Sequence, residues 1–305
     1  MYKVFIDGSA GTTGLRIYDR LSKREDISLL TLPENLRKDE GARQEKLNQA
    51  DIVFLCLPDD AARDAVKMIE NSKVKVIDTS TAHRTAAGWE YGFPELEGRK
   101  KAIASATRIA NPGCHASGFI ALVEPLIKAN ILKRDALLSC FSLTGYTGGG
   151  KKMIAEYEGD KPNLYNAPRQ YALTQTHKHL PEMQVICGLE SAPLFCPVVA
   201  DFPCGMEVSV PIFGEQLSGS IEDIKECYKS VYNNGIVKLV SDDENGFLSA
   251  SAYAGRDSMG ISVYGNKDRI LLVSRFDNLG KGASGAAIQN MNILLGLDEK
   301  VSLSL

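Results

Sequence analysis

Apolar and polar positions along the first third of the chain follow one repeating order, a short apolar run and then a longer amphipathic stretch. Residues 3–6 form a β-branched and aromatic run that stops at Asp7-Gly8, and Leu15, Tyr18 and Leu21 recur at helical spacing within 13–21. Residues 27–32 read as a second strand, 40–49 as a polar helix, and 51–57 as a near-continuous apolar run ended by Pro58. Runs of that last kind suit a strand covered on both faces. A helix over 60–70, with Ala61, Ala65, Met68 and Ile69 apolar, and a strand over 74–77 closing at Asp78-Thr79-Ser80 complete the series. Such strand–helix alternation predicts a parallel α/β sheet.

From about Ala136 the pattern changes. Longer, more alternating runs occupy 137–143, 195–199, 207–213, 261–264 and 270–276, with polar stretches and a helical pattern over 221–232 between them. This predicts an α+β domain with a mixed or antiparallel sheet. A last helix over 283–297 begins at the turn Gly280-Lys281-Gly282. No internal repeat, low-complexity segment or Pro/Gly/Ser linker interrupts the chain.

Composition narrows the class without changing this picture. The 305 residues are 24% charged and 44% hydrophobic with a formal net charge of −3, an ordinary globular balance for about two domains. There is no basic field to attract nucleic acid or an anionic membrane, and clusters such as Arg99-Lys100-Lys101 read as solvated surface. The N-terminus lacks the pattern of a signal peptide, and no apolar run approaches the roughly 20 residues of a membrane span. Seven cysteines are scattered with no C-x-x-C pair, which points to reduced thiols in the cytoplasm.

The first turn carries chemistry. Gly8, Gly11 and Gly14 stand in Gly8-Ser9-Ala10-Gly11-Thr12-Thr13-Gly14, directly after the first strand and before a helix. Glycine allows a tight turn, and it lets backbone N–H groups approach a pyrophosphate at a helix N-terminus. The spacing is G-x-x-G-x-x-G, so the context and not the motif alone predicts a dinucleotide cofactor. Its type stays open between two readings. Glu34 sits where an acidic residue would bond the ribose diol of NAD, while Arg37 and Lys38 beside it suit the 2′-phosphate of NADP, toward which the balance leans.

A second candidate lies at Asn111-Pro112-Gly113-Cys114-His115, where a turn precedes the apolar helical pattern of 119–123. Cys114 falls at a helix start, whose partial positive charge favours a thiolate, whereas most of the other cysteines lie in apolar strand-like runs and read as buried small hydrophobes. Only four histidines exist: His83, His115, His177 and His179. An H-x-H pair on a strand, with Glu182 near it, is one route to a metal; an acid/base beside Cys114 is the better fit, and no metal is expected. Arg84, just beyond a strand C-terminus, suits a bidentate grip on phosphate. The stretch from Gly145 to Lys151 is too glycine-rich for the interior of an element and reads as a loop that brings backbone near substrate.

Taken together, these residues resemble the N-acetyl-gamma-glutamyl-phosphate reductases, in particular their shorter class within the semialdehyde dehydrogenase superfamily. The resemblance spans most of the chain. It runs through the glycine turn, Ser80 to Arg84, Asn111-Pro112-Gly113-Cys114, Gly145 to Lys151, His177-Lys178-His179-Leu180-Pro181-Glu182, and Asp277 to Gly285. It implies a Rossmann-type NADP-binding domain from 1–113 and 280–305, and an α+β catalytic and oligomerisation domain from 114–279. It implies Cys114 as nucleophile and His177 as acid/base. Arg84, Asn111, His179 and Lys151 become substrate contacts, and Asn278 and Gly282 join Gly8–Gly14, Arg37 and Lys38 as cofactor contacts. The division between His177 and His179 stays open. Ser80-Thr81-Ala82-His83-Arg84 departs from the S-A-D-F-R form common in the family, which leaves the role of Arg84 less fixed. The implied substrate is an acyl phosphate, with an aspartyl or aminoadipyl phosphate as rivals and a nucleotide-sensing binding protein as the rival from another class. The implied assembly is a homo-oligomer, a tetramer.

Overall fold

A computed structural model describes residues 1–305. In chain order the elements are β1 (Tyr2–Asp7), α1 (Thr12–Leu21), β2 (Ile27–Leu30), α2 (Glu40–Gln49), β3 (Ile52–Leu55), α3 (Asp59–Lys67), β4 (Lys75–Asp78), β5 (Glu90–Tyr91), α4 (Arg99–Ser105) and β6 (Arg108–Ala110). There follow α5 (Cys114–Lys128), β7 (Ser139–Gly145), α6 (Gly150–Glu158), β8 (Arg169–Gln170), α7 (Leu180–Cys187), β9 (Leu194–Ala200) and β10 (Met206–Phe213). The chain ends with α8 (Ile221–Val231), β11 (Val237–Leu239), β12 (Met259–Gly265), β13 (Arg269–Phe276) and α9 (Gly285–Leu294).

Two compact units result. One comprises residues 1–94, 98–112 and 283–303, the other 95–97, 113–282 and 304–305. In the first, six strands pair in parallel in the order β2-β1-β3-β4-β6-β5, a Rossmann-like sheet. The strand order reverses between β1 and β3, and ligands bind outside the C-terminal ends of strands at such a switch point. The four residues of β3 are all buried, as a strand covered on both faces must be. On α1 the buried stripe is Gly14, Ile17 and Leu21, while Leu15 and Tyr18 face solvent. The core-facing stripe is thus set by Gly14 and Ile17 with Leu21, so only Leu21 of the expected apolar trio lies inward. Val4, Ile6, Ile17 and Phe54 pack with Ala287, Ile288 and Met291 of α9, which brings the end of the chain into the core of this unit.

The second unit is built on a mixed seven-stranded sheet, β11-β12-β13-β10-β7-β9-β8. Helix α5 lies against β10 and β13, where a Cβ on Gly118 would stand 2.5 Å from Val208 Cγ2. That glycine sets the close approach of helix to sheet. Phe119, Ile120, Leu122, Val123 and Leu126 of α5 are fully buried. Each contributes about 1.5–3 kcal/mol on burial, so the helix that begins with Cys114 is firmly anchored. Pairing puts Phe141, Pro211 and Leu271 on the other face of the sheet, with Phe213 and Leu194 in the same alternation. Phe141 is 44% exposed, Leu194 58% and Phe213 59%.

Candidate active site

The turn after β1 is lined by backbone because side chains do not fit. Gly8 has φ +89, and a Cβ there would stand 2.2 Å from the Cys56 carbonyl oxygen just beyond β3. A Cβ on Gly14 would lie 2.5 Å from the Gly8 carbonyl oxygen. Gly11 opens α1 with no side-chain cap and no acidic residue in the first turn, so the helix N-terminus is left to backbone N–H groups. The Thr12 hydroxyl beside it is buried with no hydrogen-bond partner. An uncapped helix end, a glycine cradle and an orphaned hydroxyl fit the pyrophosphate of a dinucleotide. Arg37 follows β2 in a short turn, half-exposed, with Glu34 at 3.9 Å; Lys38 is exposed next to it.

Arg84 and Asn111 are buried in the same unit. Arg84 Nε donates to the Asn111 carbonyl oxygen (3.0 Å), and its Nη2 donates to that of Thr79 (3.1 Å). Asn111 Nδ2 donates to the Ala283 carbonyl oxygen (3.1 Å), and its Oδ1 accepts from Asn290 (3.2 Å). These polar groups already hold the loops at the C-terminal edge of the sheet, so the expected grip of Arg84 on phosphate competes with bonds it makes to the chain itself.

In the second unit, Gly113 caps α5 in extended conformation and Cys114 is its first residue, with no acidic side chain in the first turn. The partial charge of the helix end therefore falls on Sγ uncompensated from within the helix. Glu182, in the first turn of α7 and 1% exposed, accepts the Gly113 N–H at 2.8 Å and so fixes the turn that presents the sulfur. Gly282 sits in a five-residue π-helical turn, Gly280–Ser284, where a Cβ would stand 2.9 Å from Cys114 Cβ. The Asp277 carboxylate holds that turn by accepting from Leu279 (2.7 Å) and Gly280 (2.8 Å). Lys281 donates to both carboxylate oxygens of Glu95 at 2.8 and 2.9 Å, an ion pair closed to solvent. Asn278 accepts from Gly205 N–H (3.0 Å) and donates to Thr147 Oγ1 (3.1 Å). Lys151 is exposed in the first turn of α6.

The histidines gather. The ring of His177 lies 4.7 Å from that of His179, and His115 lies 5.8 Å from His177 and 5.6 Å from His179. The pair is not on a strand: His179 is the N-cap of α7, whose second residue is Pro181, a residue suited to a helix start. The His179 N–H donates to His177 Nδ1 at 3.2 Å, so the proton of a neutral His177 sits on Nε2. No group of three or more His, Cys, Asp or Glu is arranged to hold a metal.

Sequence reasoning gave no role to three members of this cluster. His115, buried next to Cys114, has Nδ1 2.6 Å from Ser142 Oγ and Nε2 2.7 Å from Tyr171 Oη. Burial, and then the nearby His177, push its pKa down from 6.5 to about 3, so the imidazole is neutral. Ser142 comes from β7, and Tyr171 follows β8. No spacing in the sequence links them. All seven cysteines are free. Burial raises the Cys56 thiol to about 12 and pushes those of Cys140, Cys187 and Cys227 up as well, which keeps them inert.

A family model for the semialdehyde dehydrogenase NAD-binding domain matches residues 26–106, and one for the semialdehyde dehydrogenase dimerisation domain matches 114–278. The chain is 46% identical to a Rhizobium meliloti protein named N-acetyl-gamma-glutamyl-phosphate reductase, over 96% of this chain and 98% of that one. It is 43% identical to the Nostoc protein named N-acetyl-gamma-glutamyl-phosphate reductase 2, over 99% of each. In fold it is similar to aspartate semialdehyde dehydrogenase II from Vibrio cholerae, with a TM-score of 0.74 at 17% identity over 97% of this chain and 98% of that one. A likeness at that identity speaks for architecture alone, whereas the sequence relatives speak for descent. The chain belongs to the N-acetyl-gamma-glutamyl-phosphate reductases of the semialdehyde dehydrogenase family.

Proposed function

We propose that this chain reduces N-acetyl-L-glutamyl 5-phosphate to N-acetyl-L-glutamate 5-semialdehyde with NADPH, releasing phosphate, as a cytoplasmic step of arginine biosynthesis. The observation that carries the reading is Cys114 at the uncapped start of α5, followed by His115, whose ring lies 5.8 Å from that of His177 and 5.6 Å from that of His179, in a chain whose relatives of this name align over nearly its whole length.

Cys114 Sγ attacks the acyl carbon, the bond from that carbon to the phosphate oxygen breaks, and phosphate leaves a thioester on the enzyme. NADPH, when bound, would supply the hydride that reduces that thioester. The C–S bond of the resulting hemithioacetal then breaks as the carbonyl re-forms, the aldehyde departs, and His177, protonated to the imidazolium, gives its Nε2 proton to the leaving Sγ. Backbone N–H groups at the start of α5 stabilise negative charge on the acyl oxygen. His179 and Lys151 contact the substrate; Arg84 and Asn111 shape the edge of the first sheet from which the chain leads to Cys114. By family resemblance, Gly8–Gly14 would hold the pyrophosphate, Arg37 and Lys38 the 2′-phosphate that distinguishes NADP from NAD, and Asn278 and Gly282 would contact the nicotinamide end.

The working form is a homo-oligomer, a tetramer by family resemblance, in which a second copy of this chain covers the face bearing Phe141, Leu194, Phe213 and Leu271. Exposed apolar residues grouped on one sheet face suit an isologous contact, in which the same face of two copies meets across a two-fold axis. Phe141→Asp puts a charge in that contact and halves the mass measured by light scattering.

The reaction is tested in reverse. N-acetylglutamate semialdehyde, phosphate and NADP yield phosphate-dependent absorbance of reduced nicotinamide, with aspartate semialdehyde a poor substitute. Activity with aspartate semialdehyde alone overturns the substrate and keeps the chemistry. Silence with both, from folded protein that binds NADP, overturns the enzyme reading.

A further inference from the structure

The hydrogen bonds around His115 have a direction. Ser142 is fully buried, and its hydroxyl makes one hydrogen bond, to His115 Nδ1. If Nδ1 carried the proton, Nδ1–H would donate to Ser142 Oγ and the serine hydrogen would be buried with no acceptor, a costly arrangement. The favoured tautomer has the serine donating to Nδ1 and the ring proton on Nε2. Nε2–H then donates to Tyr171 Oη, and the Tyr171 hydrogen is left to donate to another acceptor. Tyr171 is near enough to Cys114 for charges on the two to repel. An oxygen attached to a carbon on Sγ extends the reach of the sulfur.

We propose that Tyr171 donates a hydrogen bond to the acyl oxygen carried on Cys114, and that Ser142 and His115 are positioning residues which fix the direction of that bond. The inference rests on the acyl-transfer reading above and adds to it a side-chain donor, with the backbone N–H groups of α5 as the other contributors. Three features support it. The neutral His115 cannot occupy both of its nitrogens with protons, so the chain of bonds runs one way. Burial foremost, and then Cys114, raise the Tyr171 pKa, so the hydroxyl stays protonated through the neutral range. A chain of hydrogen bonds polarises its last donor, which strengthens the bond made to an anion.

Two measurements test this. Nitrogen-15 NMR of histidine-labelled enzyme, with His115→Asn to assign the signal, reads the tautomer. A pyridine-like Nδ1 and a protonated Nε2 are expected, and a protonated Nδ1 overturns the relay whether or not the acyl phosphate is a substrate. In single turnovers, Tyr171→Phe slows NADPH oxidation by about 100-fold or more, with NADP affinity, thermal midpoint and substrate KM close to wild type. Ser142→Ala slows it by roughly 2- to 10-fold, the size of one neutral hydrogen bond. The double variant is no slower than Tyr171→Phe alone, because the serine acts through the tyrosine. A Tyr171→Phe rate within twofold of wild type, or losses that multiply in the double variant, overturns the proposal. Wild-type inactivity with the acyl phosphate overturns the functional reading instead, and the NMR result still decides the relay.

Discussion

Helices α1 and α5 both begin on a glycine in extended conformation with no side-chain cap, Gly11 at φ −72, ψ 164 and Gly113 at φ −80, ψ 147. Helices α2 and α8 begin differently: Asp39 accepts from Ala42 N–H, and Ser220 and Asp223 form a reciprocal capping box. A cap of that kind is worth about 1 kcal/mol and satisfies donors that are otherwise orphaned. At α1 and α5 those donors are left for chemistry. The two open ends differ in whose anion they serve. At α1 collisions with Cys56 and Gly8 exclude side chains, and the space suits a phosphate that arrives. At α5, on the proposed chemistry, the first residue Cys114 is itself the anion-former, and the turn behind it is tied to Glu182.

The comparison breaks most sharply at α5. Cys114→Ser lowers turnover by about three orders of magnitude or more in steady-state assays and leaves NADP affinity intact, since oxygen is far the weaker nucleophile here. At α1 the corresponding change is Gly14→Ala, whose methyl meets the Gly8 carbonyl oxygen. A clash of ~1–3 kcal/mol weakens NADP binding by calorimetry, and the rate at which iodoacetamide alkylates Cys114 is unchanged. The histidine cluster adds a pH dependence. Unfolded, His115 takes up a proton near pH 6.5; folded, it refuses one until about pH 3. The unfolded chain thus binds more protons between those values, so the contribution is fully present above pH 6.5. It is lost on acidification at about 1.4 kcal/mol per pH unit. Urea unfolding across that range shows the slope, and His115→Asn makes it shallower. The smallest effect concerns cofactor choice: Arg37→Ala weakens NADP roughly 10-fold, the worth of one charge-assisted bond, and leaves NAD binding unchanged.

The sequence carried the parallel sheet, the mixed sheet and both open helix ends, because each rests on local pattern: alternation in β10 and β13, a buried run in β3, glycine spacing before α1, Pro-Gly before Cys114. It did not carry β5 and β6, two and three residues long, too short to show any period. Nor did it predict that α6 starts within the glycine stretch: Tyr146–Gly149 is a tight turn, and Gly150, at φ +73, opens the helix. The sequence does not settle whether His177 and His179 lie on a strand, and the Leu180-Pro181 helix start instead places their rings 4.7 Å apart. The link from Ser142 through His115 to Tyr171 joins residues far apart in the chain, and single-sequence reasoning has no handle on such contacts.

The central claim is that the open end of α5 presents a sulfur that is acylated, and trapping tests it most directly. Enzyme incubated with N-acetylglutamyl phosphate and no NADPH is digested at low pH and its peptides weighed. The account predicts one N-acetylglutamyl group on the peptide containing Cys114, absent from Cys114→Ser and discharged when NADPH is added. An enzyme that turns over while Cys114 remains unmodified, or that carries the acyl group on another residue, contradicts it.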